Sequence, residues 1–306
     1  MKKLFALIVV LLMCGYGFAQ NTAVVTQTGD NQDANVGQTG SGNISTVYQL
    51  TDNSGVNQSD VIQSGISNQA YVEQYETGGG GNTPGTIAFI KQIGNYNLGY
   101  QYMNAPGFNS GQSQSAEQYG HYNYVNQRVD AGYNISQNSY QNGNNNISQQ
   151  YSTSSQGYQS SSIQTWGNSS EAYQTAIGTK ANLHITQYGG DDNYANQNFS
   201  GAFGFVAGNT GDITQNGYYN TGYQTLVGME DNDLDLTQAG NWNTSTQYTD
   251  GDINTSSVYQ AGNSNIGYIN QAGDSNNASI TSVGNGHNGS ITQTGGMNDA
   301  VITQNP

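Results

Sequence analysis

The feature that most constrains the fold of this chain is an eleven-residue repeat in its last third. Six successive steps of eleven residues back from Gln304 each reach a polar residue, and a Gly lies two positions after each of them. These glycines are Gly240, Gly251, Gly262, Gly273, Gly284 and Gly295. An Asn or, once, His287 follows three positions after each Gly. Six consecutive units with one spacing indicate a structural repeat rather than a biased composition.

Residues alternate within each unit. In the last unit Asn298, Ala300, Ile302 and Gln304 share one parity, and polar residues occupy most of the positions between them. This alternation is typical of a β-strand with one buried face. The four residues between strands contain the Gly that a tight turn needs for a positive φ. Because a strand of seven residues cannot bury its inner face alone, the units must stack on one another.

The same pattern extends through the chain from Asn21 and predicts 24 strands. Their opening residues are Asn21, Gln32, Asn43, Asn57, Asn68, Thr86, Asn97, Gln112, Asn123, Asn134, Asn146, Tyr158, Asn168, Ala181, Asn193, Asn209, Asn220, Asn232, Asn243, Asn254, Asn265, Asn276, His287 and Asn298. Each opening residue occupies the first of four inward places, and Gln usually occupies the fourth.

Two regularities separate odd-numbered from even-numbered strands. A variant with Gln in the third inward place occurs in odd strands, those that open at Asn97, Asn123, Asn193, Asn220 and Asn243. Turns longer by two or more residues precede even strands, those that open at Asn57, Thr86, Gln112, Ala181 and Asn209. Two strands per rung explain both facts. The predicted fold is therefore an all-β parallel β-solenoid (β-helix) of about 12 rungs of about 22 residues, with amyloid-type stacking.

The inward Asn and Gln side chains are the predicted functional residues. Identical amides one rung apart can donate N–H to C=O, so each buried amide is satisfied. Because an unpaired buried amide costs about 1–3 kcal/mol, such ladders favour regular stacking and polymerisation. The assigned ladder residues are Asn21, Gln27, Asn43, Gln49, Asn68, Gln74, Asn254, Gln260, Asn265, Gln271, Asn298 and Gln304. The assigned turn glycines are Gly29, Gly40, Gly65, Gly240, Gly251, Gly262, Gly273, Gly284 and Gly295.

Composition supports a repeat protein and argues against a nucleic-acid partner. Charged residues are 8% of the chain, against roughly 25% in globular domains. Such a composition suits either a disordered Gln/Asn-rich chain or a repeat protein with a polar core, and the regular spacing favours the second. The formal net charge is −15, whereas binding to phosphates requires many Lys and Arg side chains.

The N-terminus is typical of a targeting segment. Lys2 and Lys3 precede an apolar run of ten residues from Leu4 to Met13, too short to span a bilayer. Residues 1–19 are therefore predicted to be a signal peptide, and residues 20–306 the exported repeat domain. An alternative is a lipid anchor at Cys14, which Met13 disfavours. No other apolar run is long enough for a membrane helix, so no span is expected in the mature chain.

The spacing of the repeat is similar to that of a known family. Gln38, Asn43 and Gln49 follow the pattern Gln-x4-Asn-x5-Gln, with Gly two residues after the first Gln. In this spacing the chain resembles the curli (curlin) major fibre subunit family, as a long, many-repeat member, over essentially all of residues 20–306. The resemblance implies a β-solenoid that polymerises into extracellular amyloid fibres for biofilm matrix and surface adhesion. It also implies a nucleator subunit and an outer-membrane secretion channel as partners, at the surface of a Gram-negative-type bacterium.

The sequence predicts no catalytic residue, no metal site and no cofactor. His121, His184 and His287 are scattered, and His287 occupies an Asn place of the repeat. The acidic run at 230–235 offers the oxygen ligands that calcium takes, but Asp233 and Asp235 point outward on a strand, which favours a solvated face. Outward tyrosines just before the inward Gln or its equivalent are either surface β-formers or contacts for adhesion and lateral packing. They are Tyr48, Tyr71, Tyr102, Tyr151, Tyr173, Tyr248 and Tyr259.

Two alternatives to a main fibre subunit stay open at this point. A monomeric β-solenoid that binds ice or another surface would need a Thr-x-Thr array and capped ends, and the threonines here recur singly. A minor nucleator subunit of the same fibre would be expected to carry charge in one terminal unit, and here Asp299 is the charge of the last one. The last repeat extends to Gln304 without a polar cover, so we expect it to receive the first rung of another copy.

Overall fold

The computed structural model describes residues 20–51, 56–77, 85–106, 111–131, 134–153, 158–178, 180–201, 208–228 and 230–306. Their regular secondary structure consists of β-strands alone. Within these ranges there is no helix of the length and hydropathy needed to cross a membrane. The predicted signal peptide, residues 1–19, lies outside the described residues.

Odd-numbered and even-numbered strands form two separate parallel sheets. The odd strands are β1 (Thr22–Thr28), β3 (Ile44–Thr51), β5 (Gln69–Thr77), β7 (Leu98–Pro106), β9 (Tyr124–Asp130), β11 (Ile147–Thr153), β13 (Glu171–Ile177), β15 (Tyr194–Ser200), β17 (Thr221–Val227), β19 (Thr244–Asp250), β21 (Ile266–Ala272) and β23 (Asn288–Thr294). The even strands are β2 (Gln32–Ser41), β4 (Asn57–Ile66), β6 (Thr86–Asn95), β8 (Gln112–His121), β10 (Ile135–Asn142), β12 (Gln159–Trp166), β14 (Ala181–Tyr188), β16 (Asn209–Asn216), β18 (Asp233–Ala239), β20 (Thr255–Ala261), β22 (Asn277–Val283) and β24 (Asp299–Gln304).

The two sheets make a β-solenoid of about 11 turns with about 23 residues per turn, which confirms the predicted fold class. Each strand pairs in parallel with the strand two places further along the chain, because each rung contributes one strand to each sheet. The register aligns equivalent places of the repeat. Gln49, for example, lies opposite Gln27 on one side and Gln74 on the other.

The core lies between the two sheets and consists of the inward side chains. Val47, Val61 and Ile90 are 0% exposed and belong to one apolar cluster. A second cluster surrounds Phe199, and a third includes Ile280. Each buried aliphatic side chain stabilises the fold by about 1.5–3 kcal/mol. Inward Asn and Gln side chains flank these apolar residues and are buried as completely.

The two edges of the solenoid differ. We call the even-to-odd connections the regular edge, where a Gly such as Gly40, Gly65 or Gly94 lies two positions after an inward Gln and three before an inward Asn. We call the odd-to-even connections the variable edge, where connections range in length. The widest intervals between successive strands, from Thr77 to Thr86 and from Ser200 to Asn209, both join an odd strand to an even one. The insertions therefore lie on one edge, as the parity of the turns predicted.

The structure corrects three strand openings. Asn134 is exposed with a φ of 53°, and the inward face of β10 begins at Ile135. Likewise Tyr158 is exposed and the inward face of β12 begins at Gln159. Gln141 shows which residues of β10 face inward, because its Oε1 accepts a hydrogen bond from the inward Gln118 at 3.1 Å. The predicted alternation would turn Gln141 outward and remove this hydrogen bond.

The third correction concerns β13. Ser170, rather than Asn168, takes the first inward place and is fully buried. Its backbone N–H donates to Asn146 Oδ1 at 3.1 Å. Asn168 belongs to the turn instead. Consequently Ala181 does not follow a lengthened turn, as the sequence suggested, whereas Gln159 does.

Candidate functional site

The Gln side chains in the fourth inward place form ladders along the solenoid. In the odd sheet Gln27 donates through Nε2 to Gln49 Oε1 at 2.8 Å, and Gln49 donates to Gln74 at 2.7 Å. Gln49 Nε2 also lies 3.0 Å from the backbone oxygen of Asp33 in the other sheet. Each such amide therefore links successive rungs and also joins the two sheets.

The other predicted Gln residues occupy equivalent places. Gln260 accepts from Gln238 at 3.0 Å, and Gln271 donates to Gln293 at 3.1 Å. Gln304 accepts from the hydroxyl of Ser282 at 3.0 Å. Ser or Thr in a fourth place continues the ladder through a hydroxyl donor. The apolar residues Met103, Val129 and Phe199 interrupt it on β7, β9 and β15.

A second, uninterrupted Gln ladder occupies the third inward place of seven consecutive odd strands. Its members are Gln101, Gln127, Gln150, Gln174, Gln197, Gln224 and Gln247, joined at 2.8–2.9 Å. The sequence identified five of these strands as the Gln variant. Gln174 joins the ladder because β13 opens at Ser170, and Gln150 is its neighbour on β11. The register correction thus turns scattered variants into one continuous column.

The inward Asn side chains form the predicted amide ladder, as where Asn43 Nδ2 donates to Asn21 Oδ1 at 3.1 Å, and they also bind backbone groups. Asn21 Oδ1 accepts from the backbone N–H of Asn43 at 3.1 Å, and Asn43 Oδ1 accepts from Asn68 N–H at 3.0 Å. The Nδ2 group of Asn68 donates to the carbonyl of the turn residue Gly94 at 2.8 Å. The Asn ladder therefore holds backbone as well as side chains, and it ties each rung to the turn of the next.

The later Asn residues repeat this geometry. The N–H groups of Asn254, Asn265 and Asn298 donate to Asn Oδ1 atoms one rung earlier at 2.9, 3.0 and 3.1 Å, respectively. His287 takes the Asn place on β23, and its N–H donates to Asn265 Oδ1 at 2.9 Å. Its Nε2 lies 2.9 Å from the carbonyl of Val283. In the neutral ring that contact requires Nε2–H, which leaves Nδ1 as an acceptor.

All nine predicted turn glycines have a positive φ, from 97° at Gly295 to 127° at Gly65. At Gly65 a Cβ atom would overlap the carbonyl of Gly94, and at Gly94 it would overlap that of Gly120. The glycines on the regular edge therefore form a column whose spacing admits no side chain. The same carbonyls accept from the inward Asn amides, so the glycine column and the Asn ladder depend on each other.

The first and last rungs expose the inward places that other rungs bury. Val25 on β1 is 44% exposed, whereas Val47 in the same place on β3 is 0% exposed. Ala300 and Ile302 on β24 are partly buried against one side of the core. Within the part of the chain that the structure describes, no strand pairs with the free edge of β1, β2, β23 or β24. Both ends of the solenoid therefore present backbone and amide groups in an open row.

The remaining polar candidates form no site. The described residues contain no group of three or more His, Cys, Asp or Glu side chains that could hold a metal ion. Asp233 and Asp235 point outward from β18, as the alternation predicted, and burial together with nearby Asp233 and Asp212 raises the pKa of Asp235. His121 is part of a turn ladder, where its Nδ1 accepts from the N–H of Asn95 at 3.1 Å.

One segment of the chain matches a known family. Residues 230–262 match the model of the curlin associated repeat, a segment that contains β18, β19 and β20. A comparison with curated proteins finds no match. Together with the β-solenoid fold, the matching repeat supports a curlin-like family and a structural role, and it suggests an extracellular location.

Proposed function

We propose that the chain is a structural subunit of an extracellular curli-like amyloid fibre and that copies assemble end to end. The observation that carries the proposal is the match between the two open ends. If the first rung of one copy continues the last rung of another in register, every inward place of β23 and β24 meets its counterpart on β1 and β2. The pairs include Gln293 with Gln27, and Ile291 with Val25.

Hydrogen-bond polarity supports this junction. Where Gln occupies the same place on successive rungs, its Nε2 donates to Oε1 of the Gln one rung further along the chain, as Gln271 does to Gln293. Gln293 Nε2 already donates one hydrogen to Asn277 O at 2.9 Å, and its second hydrogen points along the ladder. Gln27 donates to Gln49, which leaves its Oε1 at the open end. Donor and acceptor are thus complementary between the ends.

The Asn ladder has the opposite polarity and leads to the same arrangement. Asn298 Oδ1 would accept from the backbone N–H of Gln32 in the next copy, and Nδ1 of His287 from the N–H of Asn21. Joining two identical ends would oppose like groups and place the strands antiparallel. Head-to-tail stacking is therefore the arrangement in which both ladders continue.

One charge pair opposes the junction. In register, Asp299 of one copy lies opposite Asp33 of the next, and like charges in that position are destabilising. Asp299 is held by Asn277 Nδ2 at 3.0 Å. Screening by salt weakens this repulsion, so we expect assembly to be faster at higher ionic strength.

The cellular setting follows from the family resemblance and the matched repeat. As a main subunit the chain would be exported by residues 1–19, pass an outer-membrane channel, and join a fibre begun by a nucleator. The fibre would serve biofilm matrix and surface adhesion. A monomeric surface-binding solenoid is less favoured, because outward Thr214, Thr237 and Thr303 share one column while Asp212, Asp235 and Val301 occupy the adjacent column.

The test compares residues 20–306 with two variants of the first strand. Val24 and Val25 are similarly exposed, at 47% and 44%, but point to opposite faces of β1. We expect the parent chain to form thioflavin-positive fibres with a strand spacing of about 4.8 Å. Val25→Lys places a charge in the junction and should block elongation, whereas Val24→Lys should assemble like the parent.

Thioflavin fluorescence, electron microscopy and sedimentation are the measurements. Circular dichroism checks that both variants keep the β-solenoid. A parent chain that stays monomeric for days at high concentration would contradict fibre formation. Equal assembly of the two variants would contradict the end-to-end junction even if fibres form.

A further inference from the structure

Three glutamates on the outer faces of the sheets share one arrangement with two tyrosines each. In every case a Tyr follows the Glu two residues later on the same strand, and a second Tyr lies opposite the Glu on the next rung. We call each set a Glu–Tyr–Tyr triad. The triads are Glu73, Tyr75 and Tyr102; Glu117, Tyr119 and Tyr140; and Glu171, Tyr173 and Tyr194. They contain three of the five Glu residues of the chain.

The contacts within the triads are alike. In the second triad, the Tyr119 hydroxyl donates to Glu117 Oε2 at 2.7 Å, and its ring centroid lies 5.6 Å from that of Tyr140. The corresponding distances are 3.0 and 5.7 Å in the third triad, and 3.4 and 5.6 Å in the first. Each triad thus holds a phenol on a carboxylate and beside a second phenol ring.

This arrangement supplies what tyrosine oxidation needs. A phenol that loses one electron becomes a strong acid and must transfer its proton, and a carboxylate within hydrogen-bond reach can take it. Burial, together with the hydrogen bond to Glu171, raises the pKa of Tyr173 to about 12, and burial also raises the pKa of Tyr75. These phenols are therefore protonated at neutral pH, and the nearby carboxylate is the base. All six rings are partly exposed, so a small oxidant can reach their edges.

We propose that the triads are sites of oxidative tyrosine coupling, which joins neighbouring rungs covalently under a peroxide-driven one-electron oxidant. Each of the two phenols gives up one electron and its hydroxyl proton, the first proton passing to the Glu. The two radicals join through ring carbons next to the oxygens. The hydrogens on those carbons then move to the oxygens and restore both hydroxyls. Two electrons and two protons in total convert one hydrogen peroxide into two waters.

The links would connect strands that are adjacent in a sheet but more than twenty residues apart in sequence. Residues 20–306 contain no Cys, so disulfides are not available to this part of the chain. A bond between Tyr119 on β8 and Tyr140 on β10 would constrain the unfolded chain as a disulfide does. The triads lie in the first two thirds of the solenoid, away from both open ends, so coupling leaves the end-to-end junction unchanged.

The experiment treats dilute, purified chain with a haem peroxidase and hydrogen peroxide, then maps links by digestion and mass spectrometry. We expect dityrosine fluorescence and linked peptides, two hydrogens lighter, that join Tyr119 to Tyr140 and the corresponding pairs of the other triads. Glu117→Gln keeps the shape but removes the base. It should lower the Tyr119–Tyr140 link by about tenfold or more, while the other two triads in the same molecule link normally.

The other triads serve as an internal test of folding, because their links require the register of the solenoid. Glu230→Gln, on the variable edge outside the triads, is the control and should leave all three links unchanged. The proposal is overturned if the links of Glu117→Gln equal those of the parent chain. It is also overturned if coupling favours Tyr158, which is 68% exposed and lies outside the triads, over the triad tyrosines.

Discussion

The regular and variable edges of the solenoid join the same two sheets, but they tolerate different sequences. On the regular edge, Gly65, Gly94 and Gly120 stack so closely that each carbonyl fills the space of a side chain on the previous rung. The variable edge stacks in the same way at Gly251 and Gly273, but at Gly208 no atom lies nearer than 3.8 Å to a Cβ. Close stacking is therefore continuous on the regular edge and interrupted on the variable edge, so one continuous edge keeps the rungs in register where the other varies.

The largest difference in stability between the two edges is expected when a glycine on each edge is replaced by Ala, which adds one methyl group. Gly94→Ala places a Cβ against the carbonyl of Gly120 at a φ of 127°. We expect this variant to lose about 3 kcal/mol or more, because the strain and the clash act together. Gly208→Ala should change stability by less than about 0.5 kcal/mol. Thermal melts followed by circular dichroism measure both, and similar melting temperatures would show that the edges are not different.

An intermediate effect is expected from the Asn ladder of the regular edge. Asn265→Ala removes the acceptor of the His287 N–H and the donor to the Gly284 carbonyl. Leaving these groups unpaired should cost about 2 kcal/mol and slow fibre growth. Asn270→Ala, on the outer face of the same strand, is the matched control and should have little effect. Melting temperature and the thioflavin growth rate test this, and equal losses would argue against an inward role for Asn265.

The smallest difference in stability is expected when a bulky residue with a positive φ on each edge is replaced by Asn. Ile253 on the variable edge has a φ of 59°, and Trp242 on the regular edge has a φ of 55°. Asn tolerates this conformation, so Ile253→Asn should stabilise the chain by about 1 kcal/mol. Trp242 stacks on Tyr219 with centroids 5.6 Å apart, so Trp242→Asn should gain less because it loses that contact. Paired melts would contradict this if Trp242→Asn were the more stabilising change.

Much of the fold could be predicted because alternation and spacing depend on local sequence. They indicated 24 strands, two parallel sheets and insertions on one edge. The parity of β10 and β12 was predicted wrongly, because Ser, Asn and Gln occur on both faces there and outweighed Ile135 and Ile163, which are buried on the inward face. Contacts one rung away decide the parity, as Gln118 does for Gln141.

The sequence predicted the residues of the candidate site better than it predicted their hydrogen bonds. The sequence indicated inward Asn and Gln with amide bonds between rungs, but not that Asn68 donates to Asn43 Oδ1 through its backbone N–H as well as through Nδ2. Glu followed by Tyr two residues later, as at Glu117 and Tyr119, is visible in the sequence. Its partner Tyr140 emerges only with the register of β8 and β10.

The continuous column from Gln101 to Gln247 has an electrical consequence. Every amide in it points the same way, so the side-chain dipoles add along the axis and polarise one another. Reversing one amide would oppose two donors on one side and two acceptors on the other, and would also turn its oxygen toward the backbone carbonyl that its Nε2 binds, as Gln101 Nε2 binds the Phe89 carbonyl at 2.9 Å. A filament built from such columns would have a net dipole along its axis and two chemically distinct ends, and its growth rates at those ends would differ.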